Sequence, residues 1–336
     1  MNKIYGGVIM DELKEKQNID EQKSTITSIY DYIKVIMEKQ AKFAYNTLLF
    51  RGQSNQCYEL IPSIARGHKM PCDISIFNEE RNLIEMAKYY MPDIFKRDLL
   101  PLDLLALLQH YGIPTRLLDV TENPLVALYF ACNDCFDKDG EIFVFRYQFS
   151  GDIVQYPIIH AIADSYKFLG GAGSWLDLCD FYRMAEKQQY FLESRYLCER
   201  IYEGLTKEEM MIQKDKEYAS ILLDVCREPL FVMASFLTLR QTQQKGRYIL
   251  FPNAIQKDDD DSKDARFINK IDPIDKNHTC IVQKITVLSK YKKQIISDLN
   301  LLGINEFSLF GDSIDKVCHF ISEKYKNRNI IKEIYN

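Results

Sequence analysis

The sequence lacks any long hydrophobic run. None of its apolar stretches approaches the roughly 18 residues that a membrane-spanning helix requires. The apolar part of the N-terminus is also too short for the core of a secretory signal. We therefore expect a cytoplasmic protein without a membrane partner.

A compact cysteine framework is missing as well. The nine cysteines are odd in number and scattered from Cys57 to Cys318, which fits reduced thiols. Cys132 and Cys135 form a lone C-x-x-C, without a second pair or a histidine at ligand spacing. Cys132 falls on the apolar stripe of an expected helix, so we favour packing over metal or redox chemistry. No metal is indicated.

Positive charge is not in excess. The 43 lysines and arginines are outnumbered by 48 aspartates and glutamates, which gives a net charge of −5. Non-specific nucleic-acid binders normally show a strong basic balance, so nucleic acid is not an expected partner. With 336 residues, of which 46% are hydrophobic, the chain is long enough for one large domain or for one domain with an insertion. We find no tandem repeat.

Familiar catalytic motifs are absent too. The five histidines are scattered, and His110 has no serine or cysteine at an elbow motif. There is no paired-carboxylate nuclease signature, and a metal nuclease would need Asp, Glu and His side chains that only folding could bring together. A nuclease is therefore the least favoured function.

What the sequence does contain is a dense polar stretch between two expected helices. We predict one helix from Pro101 to Gly112, with Pro in its first turn and Gly at its end, and a second that begins at Asn123 and Pro124. The polar residues of this stretch are Gln109, His110, Thr115, Arg116, Asp119, Thr121 and Glu122.

Two interpretations of this stretch are compatible. Arg116 and Asp119 lie among apolar neighbours, and a buried charge must be paired and hydrogen-bonded. In one interpretation the two side chains pair with each other or with backbone carbonyls and lock the loop. In the other, the loop lines a pocket for a polar, phosphate-bearing ligand.

A second candidate region starts at an apolar run, residues 47–50, which predicts a strand. This strand continues into Arg51, Gly52 and Gln53. It would present the Arg51 guanidinium from a rigid element, with Gly52 leaving room for a ligand. The alternative is an arginine that caps the edge of a sheet.

A third polar region lies at residues 240–247, between two expected strands. It holds two arginines and three glutamines, one of which is Gln244. Their amides could bind a base or a sugar, or the region could be an ordinary polar turn.

The remaining elements place these regions in a larger fold. We expect a helix opening at residues 24–27 with Ile29, Ile33, Ile36 and Met37 in the core, a strand or turn at 58–66, and a helix at 78–96 that carries Glu80 near its start. Residues 1–22 are predicted to be a polar lead-in. Residues 150–226 are predicted to be helical, with one helix starting at Trp175, and to form an insertion, a lid or a surface for a protein partner. The predicted class is α+β, with a mixed, mostly antiparallel sheet, flanking helices and an α-helical insertion.

The motifs together resemble the FRG domain family, which is named for a Phe/Tyr-Arg-Gly triplet. The resemblance implies an FRG domain over residues 23–327, with the 150–226 block poorly matched. The matching residues are Phe50, Arg51 and Gly52, the run from Gln109 to Thr121, Pro124, Ala127, Phe130, Gln244, Gly246, Tyr248, Lys292 and Gly303.

A more distant likeness is to ADP-ribosyltransferase folds. In those folds an arginine at the end of a first strand holds the phosphate of NAD, a Ser/Thr motif follows, and a late Glu-x-Glu supplies the catalytic acid. By order along the chain, Arg51 matches the first feature and Thr115 or Thr121 the second. Gln244 and Gly246 stand where the carboxylates should be, and an amide cannot replace a carboxylate as a base. Another acid would then be needed.

The resemblance therefore implies a nucleotide-like ligand, with NAD as the first candidate, and an NAD-consuming or ADP-ribosyl-transferring effector in bacterial phage defence. The alternative is a non-catalytic sensor or protein-interaction module of such a system. The candidate acids are Asp119, Glu122 and Glu80. The candidate binding residues are Arg51, Gln53, Gln109, His110, Thr115, Arg116, Thr121 and Gln244.

Overall fold

The structure is a computed structural model that describes most of the chain. The described ranges are residues 23–43, 47–66, 76–147, 157–170, 173–185, 229–257 and 265–311, with a few isolated residues between 187 and 226. The predicted lead-in at 1–22 and much of the predicted helical block at 150–226 lie outside these ranges.

Within the described ranges, ten strands form two sheets. The larger sheet has seven strands in the order β1-β10-β4-β2-β3-β7-β6, and the smaller has the order β5-β9-β8. Among these strands, only the β1–β10 pair is parallel. The strands are β1 (Lys23–Ile26), β2 (Thr47–Gln53), β3 (Leu117–Thr121), β4 (Gly140–Tyr147), β5 (Trp175–Asp177), β6 (Leu230–Val232), β7 (Gly246–Leu250), β8 (Ile255–Gln256), β9 (Arg266–Ile268) and β10 (Ile281–Val287).

Nine α-helices within the described ranges surround the sheets. They are α1 (Ile29–Lys42), α2 (Glu80–Tyr90), α3 (Pro101–His110), α4 (Pro124–Cys132), α5 (Pro157–Ala163), α6 (Leu178–Ala185), α7 (Leu239–Gln243), α8 (Lys292–Leu301) and α9 (Glu306–Phe310). With the mostly antiparallel large sheet, these helices confirm the predicted α+β class.

Both faces of the large sheet are buried. Side chains alternate along a strand, so Leu48 and Phe50 of β2 pack on one face with α4, whereas Leu49 packs on the other face beside Phe143 and Phe145 of β4. A further apolar cluster joins α2, α3, α5 and α6. The described part of the 150–226 block therefore shares a core with α3.

The local signals at the two central helices are confirmed. Pro101 begins α3, and Gly112 follows it with φ of +83°. Asn123 caps α4 by accepting the Leu125 backbone N–H at 3.0 Å, and Pro124 is the first helical residue. These two helices fix the ends of the polar stretch.

Cys132 is a packing residue of α4, as expected. It is completely buried, and burial raises the pKa of its thiol to about 12. Lys292, at the start of α8, is buried beside it and donates from Nζ to the carbonyls of Ser54, Asp134 and Cys135 at 2.6, 3.0 and 3.0 Å. The lysine thus ties α8 to the ends of β2 and α4.

Several local predictions were wrong. Residues 24–27 do not open a helix, because the chain first pairs with β10 as β1 and α1 starts only after its cap at Ser28. Ile33 and Met37 face solvent instead of the core. Trp175 lies in a strand that pairs with β9. At residues 24–27 and at Trp175, pairing with a strand distant in the sequence overrides the local helical pattern.

Two further segments had alternatives that the structure decides. Residues 58–66, expected to be a strand or turn, contain a short 3₁₀-helix, Ser63–Ala65, and one isolated bridge between Leu60 and Ile274, which fits the turn. The polar region at 240–247 is not a turn between strands, since it begins with α7. Thr238 and Gln241 form a capping box at the start of that helix.

Candidate functional site

A cavity of about 280 Å³ lies where β2 and β3 diverge. β2 pairs with β4 along seven residues, but it pairs with β3 only at Phe50 and Thr121. Helix α3 borders the resulting gap through Gln109 and His110, and α4 borders it through Val126, Ala127 and Phe130. The remaining wall comes from Arg66, from α7 with the residue after it, and from the start of β7. The cavity is thus built by the polar stretch and by the two other candidate regions.

Arg51 reaches across this gap. Its Nη1 donates to the backbone carbonyl of Asp119 at 2.7 Å, which links β2 to β3 where the strands no longer pair. Its Nε is buried and has no hydrogen-bond partner among the described residues. Burial lowers the pKa of Arg51 to about 10, with Asp119 opposing the shift and the nearby Arg66 adding to it. The guanidinium therefore stays charged at neutral pH, and its Nε–H is a buried donor without an acceptor among the described residues.

Two further arginines line the cavity. Arg66 is exposed and donates from Nε to the Ile61 carbonyl at 3.3 Å. Arg240, on α7, stacks its guanidinium over the Phe310 ring at 4.6 Å. Against these three cations the described lining includes a single carboxylate, Asp119. The cavity therefore favours an anion.

Asp119 is held by a chain of hydrogen bonds. Gln109 Nε2 donates to its Oδ1 at 2.7 Å. The Gln109 Oε1 in turn accepts from the Thr115 hydroxyl, whose oxygen accepts the Leu117 backbone N–H at 3.2 Å. Thr115 is buried and does not line the cavity. It positions Gln109, and Gln109 positions Asp119.

His110 and Tyr248 complete the polar wall. The His110 Nδ1 lies 3.3 Å from the Thr238 hydroxyl, and the Tyr248 hydroxyl accepts from Gln241 Nε2 at 3.0 Å. Burial, followed by the charge of Asp119, raises the pKa of Tyr248, so the phenol is neutral. The side chains of His110 and Tyr248 can both contact a ligand without adding negative charge to the cavity.

Thr121 and Gln244 line the cavity, but their polar atoms are engaged. The Thr121 hydroxyl donates to the Gln244 carbonyl at 2.6 Å and accepts the Asn123 backbone N–H at 3.0 Å. The Gln244 side chain donates to the Leu309 carbonyl at 3.0 Å. Both residues shape the wall between β3, α7 and α9.

Arg116 and Glu80 lie away from the cavity and pair with each other. Arg116 is buried, donates from Nε to Glu80 Oε1 at 2.9 Å and also binds Oε2 through Nη2. Its Nη1 donates to Asn253 Oδ1 at 3.1 Å and to the Phe251 carbonyl at 3.4 Å. Arg116 therefore does not pair with Asp119, whereas the alternative of a contact with a backbone carbonyl is observed at Phe251. Arg116 locks α2 to the sheet, and Asp119 faces the cavity.

Glu122 and Gln53 also point elsewhere. Glu122 forms a salt bridge with Arg247 at 2.7 Å. Gln53 is buried and donates from Nε2 to the Tyr58 carbonyl at 2.9 Å. Of the predicted residues, those that line the cavity are Arg51, Gln109, His110, Asp119, Thr121 and Gln244, and those that do not are Gln53, Glu80, Thr115, Arg116 and Glu122.

Gly52 lets a helix pack closely against β2. A Cβ atom at this position would lie 1.8 Å from the Ala127 carbonyl oxygen and 2.8 Å from the Ala131 nitrogen. The missing side chain lets α4 approach β2 backbone to backbone. The glycine of the triplet thus closes the helix onto the strand, and it also lines the cavity, as expected from its position next to Arg51.

Sequence reasoning missed several lining residues. Arg66 belongs to a segment that was expected to be a strand or turn. Arg240 and Gln241 belong to the 240–247 region, for which a binding cluster and an ordinary polar turn were both open. Phe130 and Tyr248 were identified only as residues that match the FRG pattern. The signal for Arg240 was present in the 240–247 region, but only the α7 helix shows which of its side chains face the cavity. Within the described ranges, no group of three or more His, Cys, Asp or Glu side chains could hold a metal ion.

The comparison with known families identifies the central region. Residues 46–140 match the family model of the FRG domain. The chain contains an FRG domain. No curated protein and no solved structure matches the chain.

The FRG match spans the strand with Arg51, both central helices and β3. It therefore supplies most of the cavity wall, whereas Arg240, Gln244 and Tyr248 lie beyond its end. The wider extent of the domain, residues 23–327, stays a prediction. No helix within the described ranges combines the length and the apolar character that crossing a membrane requires.

Proposed function

We propose that the cavity of the FRG domain binds a phosphate-bearing, nucleotide-like ligand, with NAD as the first candidate. The observation that carries this proposal is Arg51, whose charged guanidinium lies in the cavity with a buried Nε that has no acceptor among the residues that the structure describes. A buried donor without a partner is costly, and a phosphate oxygen would satisfy it.

The charge of the cavity supports an anionic ligand. Arg51, Arg66 and Arg240 face one carboxylate, Asp119. Phosphate oxygens are favoured partners of arginine because the planar guanidinium can donate two parallel hydrogen bonds.

The size of the cavity limits how a dinucleotide would bind. Pockets for complete small-molecule ligands commonly have volumes of roughly 300 to 1,000 Å³. At about 280 Å³, this cavity suits one nucleotide unit. A dinucleotide such as NAD would place its second half outside the gap between β2 and β3.

In the enzymatic form of the proposal, Asp119 is the acid that acts on NAD. The bond between ribose C1′ and nicotinamide breaks, and its electron pair leaves with nicotinamide. The Asp119 carboxylate stabilises the positive charge on the ribose, and water or an acceptor hydroxyl attacks C1′ and releases its proton to solvent. Glu80 and Glu122 are poor candidates for this role because arginines outside the cavity hold them.

The ADP-ribosyltransferase likeness remains part of this proposal. Gln244 stands where such folds carry a carboxylate, and its amide is bound to the Leu309 carbonyl. Asp119, on the neighbouring β3, takes over the acidic role in our account.

The second candidate is a non-catalytic sensor or interaction module. It is favoured by exposed apolar residues next to Thr238, which contacts His110 at the cavity wall. Phe236, Leu237 and Leu239 are 49%, 43% and 57% exposed. Such a surface suits a protein partner. The resemblance to the FRG family is our reason to propose bacterial phage defence as the setting for either function.

A thermal-shift panel tests the binding proposal. Purified protein is heated with NAD, ADP-ribose, ATP, GTP or short oligonucleotides, with wild type beside Arg51→Ala and Arg81→Ala. Arg81 is an exposed residue of α2 and controls for the loss of one positive charge. A ligand at a hundred times its Kd should stabilise wild type by about 2.7 kcal/mol.

We expect stabilisation by NAD or ADP-ribose that persists in Arg81→Ala and is lost in Arg51→Ala. If no nucleotide stabilises the wild-type protein, the ligand proposal fails. Release of nicotinamide from NAD, measured in wild type and Asp119→Asn, separates the two candidates. If the protein is an enzyme, wild type releases nicotinamide and Asp119→Asn does not. If it is a sensor, neither protein releases nicotinamide.

A further inference from the structure

Asp119, the only carboxylate in the described lining of the cavity, has a hydrogen-bond partner for one of its two oxygens. Asp119 Oδ1 accepts from Gln109, but its Oδ2 has no hydrogen-bond partner among the described residues. The side chain is exposed to the cavity, so a ligand can reach this oxygen. An unpartnered carboxylate oxygen calls for a hydrogen-bond donor on the ligand.

Gln109 and Thr115 set the orientation of the Asp119 carboxylate. The Thr115 oxygen accepts the Leu117 N–H, so the Thr115 hydroxyl proton points to Gln109 Oε1. The Gln109 amide is therefore oriented with its NH₂ group toward Asp119 Oδ1. This chain leaves Oδ2 as the oxygen that faces an incoming ligand.

The surrounding charge restricts which donor can bind there. A cationic group on the ligand would be repelled by Arg51, Arg66 and Arg240, and a phosphate would be repelled by Asp119 itself. A neutral donor close to a phosphate satisfies both conditions. In nucleotides the ribose hydroxyls are such donors, and acidic side chains bind them in dinucleotide sites of other folds.

We infer that Asp119 accepts a hydrogen bond from a ribose hydroxyl, so that the cavity selects ribonucleoside phosphates over their deoxy analogues. This inference rests on the proposed function, because the arginines must hold the phosphate of the same ligand. Gln109 and Thr115 are positioning residues for Asp119.

The test compares ADP with 2′,3′-dideoxy-ADP by calorimetric titration of the whole chain. The two probes carry the same phosphates and the same base, so only the hydroxyls differ. A hydrogen bond to a charged group corresponds to roughly tenfold or more in Kd. We expect ADP to bind wild type at least about tenfold more tightly than the dideoxy analogue.

Asp119→Asn provides the decisive variant. Because Gln109 presents NH₂ to this position, the new asparagine turns its oxygen toward Gln109 and its own NH₂ toward the ligand. The acceptor is thereby lost without a change in size, and we expect the preference for ADP to fall severalfold. Thr115→Val frees the Gln109 amide to rotate and should give a smaller fall.

The control is Asp93→Asn, which removes one negative charge at an exposed turn outside the cavity. It should keep the full preference for ADP, and unchanged melting temperatures would show that all variants fold. Equal binding of ADP and the dideoxy analogue by wild type overturns the ribose inference and leaves the proposed phosphate site standing. Binding of neither probe overturns both. A preference for ADP that survives in Asp119→Asn also overturns the assignment of Asp119.

Discussion

Replacement of Glu80 by glutamine should destabilise the fold without affecting ligand binding. Glu80, on α2, is 4% exposed and holds the guanidinium of Arg116, which is 1% exposed. The variant leaves Arg116 buried with a neutral partner. Its Nη1 keeps Asn253, but the charge is no longer compensated.

The expected loss is large because both charges are removed from water. Breaking a buried ion pair by changing one partner typically costs about 3 to 5 kcal/mol. The free energy of unfolding of an ordinary domain is only about 5 to 15 kcal/mol, so Glu80→Gln would remove a substantial share of it. Arg116→Met added to Glu80→Gln should recover part of the loss, since no unpaired charge then stays buried.

Urea denaturation of wild type and variants measures the effect. Glu85→Gln on the same helix is the matched control, because Glu85 is about half exposed and pairs with Lys88 at 3.1 Å. Lys88 is only 11% exposed, but without Glu85 it keeps its hydrogen bond to the Tyr166 hydroxyl at 3.1 Å. We therefore expect the control to lose only about 1 kcal/mol. If Glu80→Gln costs no more than Glu85→Gln, the structural role of the pair is refuted. Loss of ligand binding by folded Glu80→Gln would instead restore Glu80 as a site residue.

Two further predictions concern stability. Gly52→Ala should cost at least about 1 to 3 kcal/mol in urea denaturation, because its Cβ would overlap the Ala127 carbonyl, which is backbone and cannot swing away. The control is Gly170→Ala, whose added Cβ would meet open space and should change the free energy of unfolding by less than about 0.5 kcal/mol. If Gly52→Ala and Gly170→Ala have equal effects, the close approach of α4 to β2 is refuted. The free energy of unfolding should also fall as pH rises from about 9 toward 12, because burial raises the pKa of Cys132 from 9.0 to about 12 and that of Tyr147 from 10.0 to about 12. The folded state then retains protons that the unfolded state loses, and urea midpoints that are constant over this range would contradict the assignment.

The sequence predicted those elements whose signals are local. Pro101, Asn123 and Gly112 act through backbone geometry and caps within a few residues, so α3 and α4 could be placed correctly. Sheet pairing follows different rules. β1 was missed because its partner β10 lies at the other end of the chain.

The candidate site was predictable in part for the same reason. Arg51 and Asp119 could be recognised from the density of polar residues on predicted strand ends. The partner of Arg116 could not be recognised, because Glu80 lies 36 residues away on another helix. Arg66 and Arg240 reach the cavity because the chain folds around it. A periodic pattern in the sequence does not predict such a position.

The most direct test of a nucleotide site in the FRG domain is a crystal structure with ADP-ribose. Our account predicts electron density between β2 and β3, with a phosphate oxygen about 2.7 to 3.2 Å from the Arg51 guanidinium, including Nε. Ribose should lie on the Asp119 side of the cavity. Density at another surface, or an ordered ligand that leaves Arg51 Nε without an acceptor, would contradict the account.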